Sequence, residues 1–281
     1  MNKHQSVGII GCGWLGLALA KKLQTMAVPV VVTVRGEAKQ QALTDNNLDC
    51  HLLSLPNHCS SQNPVFKQDI LIIAITPGFK KGRSDYADNI KMIAQAAQQN
   101  SVKKIILISS TGIYLGLDGE VNEQTTIVAQ NEKSRILSNA EQAVLEYDNT
   151  GIILRLSGLV GEDRLPGKFL AGKKGLSGAN APVNLIHQTD VIGLILALIT
   201  QELSEQIFIG VSHTLVNKAQ FYSKSAEVMS LTPPTFLPEQ SADHAMVKNH
   251  HVNGDNTRQW LNYQYQIDDL YQWLDTLKGT L

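Results

Sequence analysis

Val7-Gly8-Ile9-Ile10-Gly11-Cys12-Gly13-Trp14-Leu15-Gly16-Leu17-Ala18-Leu19-Ala20 starts as an apolar run short enough for a buried strand and continues with the apolar period of a helix. The glycines between the two are spaced GxGxxG, the phosphate-binding turn of a dinucleotide fold. Gly11 permits the tight turn off the strand, Gly13 lets the backbone approach a pyrophosphate, and Gly16 has no side chain to hold the helix off the sheet. Cys12, Trp14 and Leu15 complete the turn and are counted with the cofactor contacts. The amides at the helix start face the phosphates, where the helix dipole favours negative charge. The alternative is a tight strand-to-helix connection with no ligand.

Val30-Val31-Val32-Thr33-Val34 follows as a second buried strand. What comes after it selects the cofactor, because an acidic residue there holds the ribose hydroxyls of NAD whereas an arginine accommodates the 2′-phosphate of NADP. Here the chain reads Thr33-Val34-Arg35-Gly36, with no carboxylate before Glu37. A guanidinium grips a phosphate through two parallel hydrogen bonds. NADP(H) is therefore the expected cofactor and NAD(H) the alternative.

Strand and helix alternate onward. Asp69 to Ile75 reads as a buried strand stopped by Thr76-Pro77-Gly78, and ligands in such sheets lie off the carboxyl ends of strands. Thr76 and Pro77 are expected over the cofactor. Asp85 to Asn100 reads as a helix with Ile90, Ile93, Ala94 and Ala97 on one face. Lys103 to Ile108 is a strand ending in Ser109-Ser110-Thr111-Gly112-Ile113-Tyr114, a helix runs from about Asn131 to Tyr147, and Gly151 to Leu156 is the next strand. The expectation is an α/β fold: a doubly wound parallel sheet with a smaller carboxyl-terminal lobe. The divisions are 1–161 for the dinucleotide-binding domain, with returning segments at about 183–212 completing its sheet, and 162–182 with 213–281 for the substrate lobe. Glu37 to Asn46 reads as a short helix, followed by an irregular stretch that contains Leu52 to Leu55.

The 281 residues are 43% hydrophobic and 17% charged, with a formal net charge of −1, which describes an ordinary globular chain. No basic block or Arg-rich face points to nucleic acid. Met1 to Ser6 has no export-signal pattern, and no apolar run reaches the ~18 residues that span a bilayer. A cytoplasmic protein with no membrane partner is expected. Cys12, Cys50 and Cys59 show no paired spacing, and His244, His250 and His251 have no partner at ligand spacing, so no metal site is expected.

Taken together, the motifs resemble the extended short-chain dehydrogenase/reductase superfamily, the NAD(P)-dependent epimerase/dehydratase group. The resemblance rests on the glycine turn, Ser109 to Tyr114, Ala140-Glu141, Leu154-Arg155-Leu156 to Gly161, and Asn184-Leu185-Ile186-His187-Gln188-Thr189-Asp190-Val191. Two departures matter. Ile10 stands where extended members carry their first glycine. The Tyr and Lys that family enzymes carry on the helix ending in Ala-Glu map onto Lys133 and Leu137, so the usual catalytic pair is missing.

The resemblance implies a small polar substrate, of which a sugar nucleotide is one form, and an atypical active site. Ser110 aligns with the residue that hydrogen-bonds the substrate oxygen, with Thr111 a second donor. Lys133 is a candidate proton donor if partly buried, and Tyr114 is another acid candidate. His187 and Asp190 are read as fixing a strand-to-helix junction rather than as an acid-base pair. A second function class remains open, a non-catalytic NADP(H)-binding redox sensor or scaffold. The helices near 85–100 and 131–147 leave monomer and homodimer both open.

Overall fold

The computed structural model describes residues 5–57, 59–129, 131–238 and 250–278. In chain order the elements are β1 (Val7–Ile10), α1 (Trp14–Thr25), β2 (Val30–Val34), α2 (Glu37–Thr44), β3 (Asp49–Leu52), β4 (Ile70–Ile73), α3 (Tyr86–Gln99), β5 (Lys104–Ser110), β6 (Gly119–Val121) and α4 (Glu132–Leu145). There follow β7 (Thr150–Leu156), β8 (Gly158–Val160), α5 (Gly167–Leu170), β9 (Leu185–His187), α6 (Gln188–Thr200), β10 (Ile207–Gly210), α7 (Lys218–Val228), β11 (His250–Val252), α8 (Asp255–Leu261) and α9 (Leu270–Thr276).

Seven strands form one parallel sheet in the order β10-β7-β5-β4-β1-β2-β3. The chain runs outward from β1 through β2 to β3, then returns to β4 on the other side of β1. That reversal opens a crevice beyond the carboxyl ends of β1 and β4, where doubly wound sheets take their ligands. β1 and β4 are buried along their whole length, which accounts for their unbroken apolar sequences.

The expected α/β doubly wound parallel sheet is present. Two details differ. Asp49–Leu52, within a stretch that offered no pattern, is an edge strand paired to β2. Of the returning segments, Ile207–Gly210 joins the sheet, but Leu185–His187 pairs with Gly158–Val160 in a separate two-stranded sheet.

The chain divides into two compact units. The first comprises Met1–Ile113, Ala129–Arg155 and Ile195–Phe208. Within it Lys104 Nζ donates to the Leu198 and Gln201 carbonyls at 2.8 and 2.9 Å, placing a cation at the carboxyl end of α6.

The second unit comprises Tyr114–Val128, Leu156–Leu194 and Ile209–Leu281. Residues 114–128 belong to it because β6 pairs with β11 and buried Glu123 accepts from the Thr257 amide and hydroxyl. Its core gathers Phe221, Trp273, Leu274 and Leu185. Asp190, fully buried at the start of α6, accepts from the Gln266 and Ile267 amides and the Tyr263 hydroxyl. Gly193, one turn on, leaves the space that the Tyr263 ring fills.

Candidate functional site

A cleft of about 380 Å³ lies in the first unit at the reversal of strand order. Its walls are the glycine turn after β1, the Thr33-to-Gly36 turn after β2, and Ala74 to Pro77 after β4.

The glycines divide the labour of the turn. Gly11 has φ +99°, and a Cβ there would lie 2.8 Å from the Ala74 carbonyl oxygen. A Cβ on Gly16 would overlap the Gly11 carbonyl oxygen. A Cβ on Gly13 would meet no protein atom within 4 Å, so packing within the protein does not explain the glycine, whereas a phosphate close to the backbone does. Gly13 caps α1 with no side-chain hydrogen bond, and the first turn carries no carboxylate. These features fit a dinucleotide pyrophosphate.

The predicted contacts separate into groups. Gly11, Cys12, Gly13, Arg35, Thr76 and Pro77 line the cleft, and Arg35 and Thr76 are exposed. Trp14, Leu15 and Gly16 do not line it; Leu15 is buried under the helix start. Burial pushes the Cys12 thiol up to about 11, so it stays protonated near neutrality. Sequence reading missed Lys39, Leu53, Leu55, Tyr86 and Asn89, which also line the cleft. Lys39 stands four residues after Arg35, and Asn89 interrupts the apolar face of α3. Those were the available signals.

Ser110 ends β5 half-buried, and its Oγ accepts the Gly112 amide at 3.0 Å. Among the described residues its hydroxyl donates no hydrogen bond, and neither Ser110 nor Thr111 lines the cleft. Thr111 is buried in the turn that follows. Ser109, directly before Ser110, donates to Glu141 at 2.5 Å, and Arg155 grips the same carboxylate through Nε and Nη2.

Lys133 lies exposed on the first turn of α4, not partly buried as a proton donor on that face would need to be. The buried residues of that helix are Ser134, Ile136, Leu137, Ala140, Glu141 and Val144. Leu137 Cδ1 lies 3.9 Å from where a Cβ on Gly112 would stand, so a hydrocarbon neighbours the Ser110 turn. Tyr114 is fully buried and its hydroxyl donates to the Asn122 carbonyl at 2.8 Å, which commits its proton to the main chain. His187 Nδ1 accepts the Thr189 amide and Asp190 is taken up by other partners, so the two do not form an acid-base pair.

The comparisons with known proteins agree with this cleft. A family model described as NAD(P)H-binding matches residues 11–202, from the glycine turn to the end of α6. The chain belongs to the NAD(P)H-binding family. Protein YeeZ of Escherichia coli K12 is 30% identical over 272 residues, 94% of this chain and 97% of that protein. Among solved structures, MoeE5 in complex with UDP-glucose and NAD superimposes with a TM-score of 0.76 at 17% identity, covering 97% of both chains. UDP-glucuronic acid 4-epimerase from Bacillus cereus, in complex with NAD, gives 0.74 at 15% identity, covering 98% of this chain and 97% of that one. The NAD(P)H-binding chain thus shares the fold of these NAD-bound structures. No described helix is long and apolar enough to cross a membrane, and no described cluster of His, Cys, Asp or Glu could hold a metal. His244 lies outside the described residues.

Proposed function

We propose that this protein binds NADP(H) in preference to NAD(H) and acts as an oxidoreductase-like or epimerase/dehydratase-like enzyme on a small polar substrate of the sugar-nucleotide class. The observation that carries the cofactor choice is the turn after β2. Arg35 and Lys39 both line the cleft there, and Glu37, the carboxylate between them, does not. A guanidinium and an ammonium together suit a 2′-phosphate; a bare ribose diol calls for an acceptor instead.

Calorimetric titration with NADPH, NADP, NADH and NAD tests this. Arg35→Ala and Lys39→Ala are each expected to weaken NADPH binding by about tenfold or more, the scale of one charge-assisted hydrogen bond, and to leave NADH unchanged. An NADPH-to-NADH affinity ratio that neither substitution alters would end the 2′-phosphate assignment.

A bound nicotinamide supplies hydride transfer. This chain's own part falls to Ser110, whose free proton can bond a substrate oxygen, with Thr111 beside it. Support for the substrate class comes from two proteins of similar fold, MoeE5 in complex with UDP-glucose and the UDP-glucuronic acid 4-epimerase. Ser110→Ala is expected to lower turnover of a UDP-sugar by roughly 10²-fold, comparable to removing one preorganised donor, with NADPH affinity unchanged. Nicotinamide absorbance and product chromatography with UDP-glucose and UDP-glucuronic acid would measure it. Tight NADPH binding with no turnover of any sugar nucleotide would favour the redox sensor or scaffold, a reading that exposed Lys133 and apolar Leu137 at the family's Tyr and Lys positions support.

A further inference from the structure

His187 ends β9 at the head of α6, and the main chain fixes the protonation state of its ring. The Thr189 amide donates to His187 Nδ1 at 3.2 Å. An amide N–H can only donate, so Nδ1 carries no proton and the imidazole is the neutral tautomer with its hydrogen on Nε2. That Nε2 is buried, with no hydrogen-bond partner among the described residues. The residue is 5% exposed, and its ring meets Trp273 of α9 edge to face with the centroids 4.9 Å apart.

A second proton is poorly received there. It would enter on Nδ1, opposite the Thr189 hydrogen, so that a hydrogen bond becomes a contact between two donors while the new charge stays buried. β8 sets Val160 opposite His187 and α9 brings Trp273, and neither carries a charge. The carboxylates acting on the ring are Asp190, in the first turn of α6, and Glu162, just after β8. Asp190 is taken up by the Gln266 and Ile267 amides and the Tyr263 hydroxyl, and Glu162 is exposed. Burial outweighs both carboxylates and pushes the imidazole below its ordinary range.

We propose that His187 is an acid-sensitive latch inside the second unit, which holds the head of α6 and seats Trp273 while the ring is neutral and lets both go when it is protonated. Its release spreads through what stands beside it. Asp190 anchors the Gln266 and Ile267 amides from the same turn of α6, and Leu185, two residues before His187, shares a core with Trp273 and Leu274. The direction of the pH effect follows from the burial. An opened or unfolded chain takes up a proton at about pH 6.5 and the closed one does not, so the latch holds fully above that pH and weakens as pH falls below it.

Nitrogen NMR of the isotope-labelled protein tests the state of the ring without any substitution. At neutral pH His187 should show a bare Nδ1 and a protonated Nε2, and the opposite tautomer or a doubly protonated ring would overturn the proposal. His187→Asn then tests the latch, since it keeps an acceptor where Nδ1 stands and does not titrate. Hydrogen exchange at the Thr189 amide reads the opening itself. From about pH 7.5 to about pH 5.5 the opening equilibrium at Thr189 should rise about tenfold more in the wild type than in the variant, the weight of one linked proton. Amides of β1 and β4, in the other unit, should respond alike in the two proteins. The same pH response at Thr189 with and without His187 would overturn the latch, as would a difference of equal size at β1 and β4, which would mark a change in overall stability only.

Discussion

Glu141→Ala is expected to lower the free energy of unfolding by about 3–5 kcal/mol, the cost of leaving a buried guanidinium without its counter-charge. The side chains of Arg155 and Glu141 are 4% and 3% exposed. Arg155 Nη2 reaches Glu141 Oε2 at 2.7 Å, its Nε lies 3.1 Å from both carboxylate oxygens, and the Ser109 hydroxyl adds a bond of 2.5 Å. Three elements, β5, α4 and β7, thus meet at one carboxylate immediately before the Ser110 turn. Alanine removes the charge and all of those bonds at once. Urea titration of the cofactor-free protein measures the loss. The double substitution Glu141→Leu with Arg155→Met should recover most of it, because an apolar pair of similar volume does not pay to desolvate two ions. A loss under about 1 kcal/mol for Glu141→Ala would mean that the pair contributes no more than an exposed one.

That network also shows where sequence reading runs out. Ala140-Glu141 and Leu154-Arg155-Leu156 are visible as motifs, yet nothing in either says that the two charges meet, since the pairing depends on where α4 lies against β5 and β7. Contiguous signals fared better. Val30–Val34 is a strand over the residues its β-branched run marks, and the glycine turn joins strand to helix where its spacing requires. Asp49–Leu52 escaped notice because a short edge strand carries no continuous apolar face; its burial alternates and its ends are exposed. The three-residue strands β6, β8, β9 and β11 are held by partners distant in sequence and have no local pattern. In the cleft, Arg35 could be read because it sits in a turn of known meaning. Tyr86 and Asn89 could not, because which residues of α3 line the cleft depends on how the helix packs.

Gly13→Ala should leave folding nearly intact and reduce NADPH affinity by about 10- to 100-fold. The first half follows from local geometry. Gly13 has φ −83°, which any residue adopts, and a Cβ there would meet no protein atom within 4 Å, so the stability change should stay within the ~1 kcal/mol of an unfavourable helix cap. The second half follows from what that open space is for. A methyl group would occupy the approach of the pyrophosphate to the start of α1, and a forced shift of about 1–3 kcal/mol corresponds to that range of affinity. Gly16→Ala supplies the contrast. Its Cβ would overlap the Gly11 carbonyl oxygen, which is main chain and cannot swing aside, so this variant should lose stability and cofactor binding together. Melting curves and calorimetry on the two variants separate a glycine kept for the ligand from one kept for the fold. Unchanged NADPH binding by Gly13→Ala would mean that the phosphates do not come close to this backbone, and the fit of the turn to a dinucleotide would lose its main support.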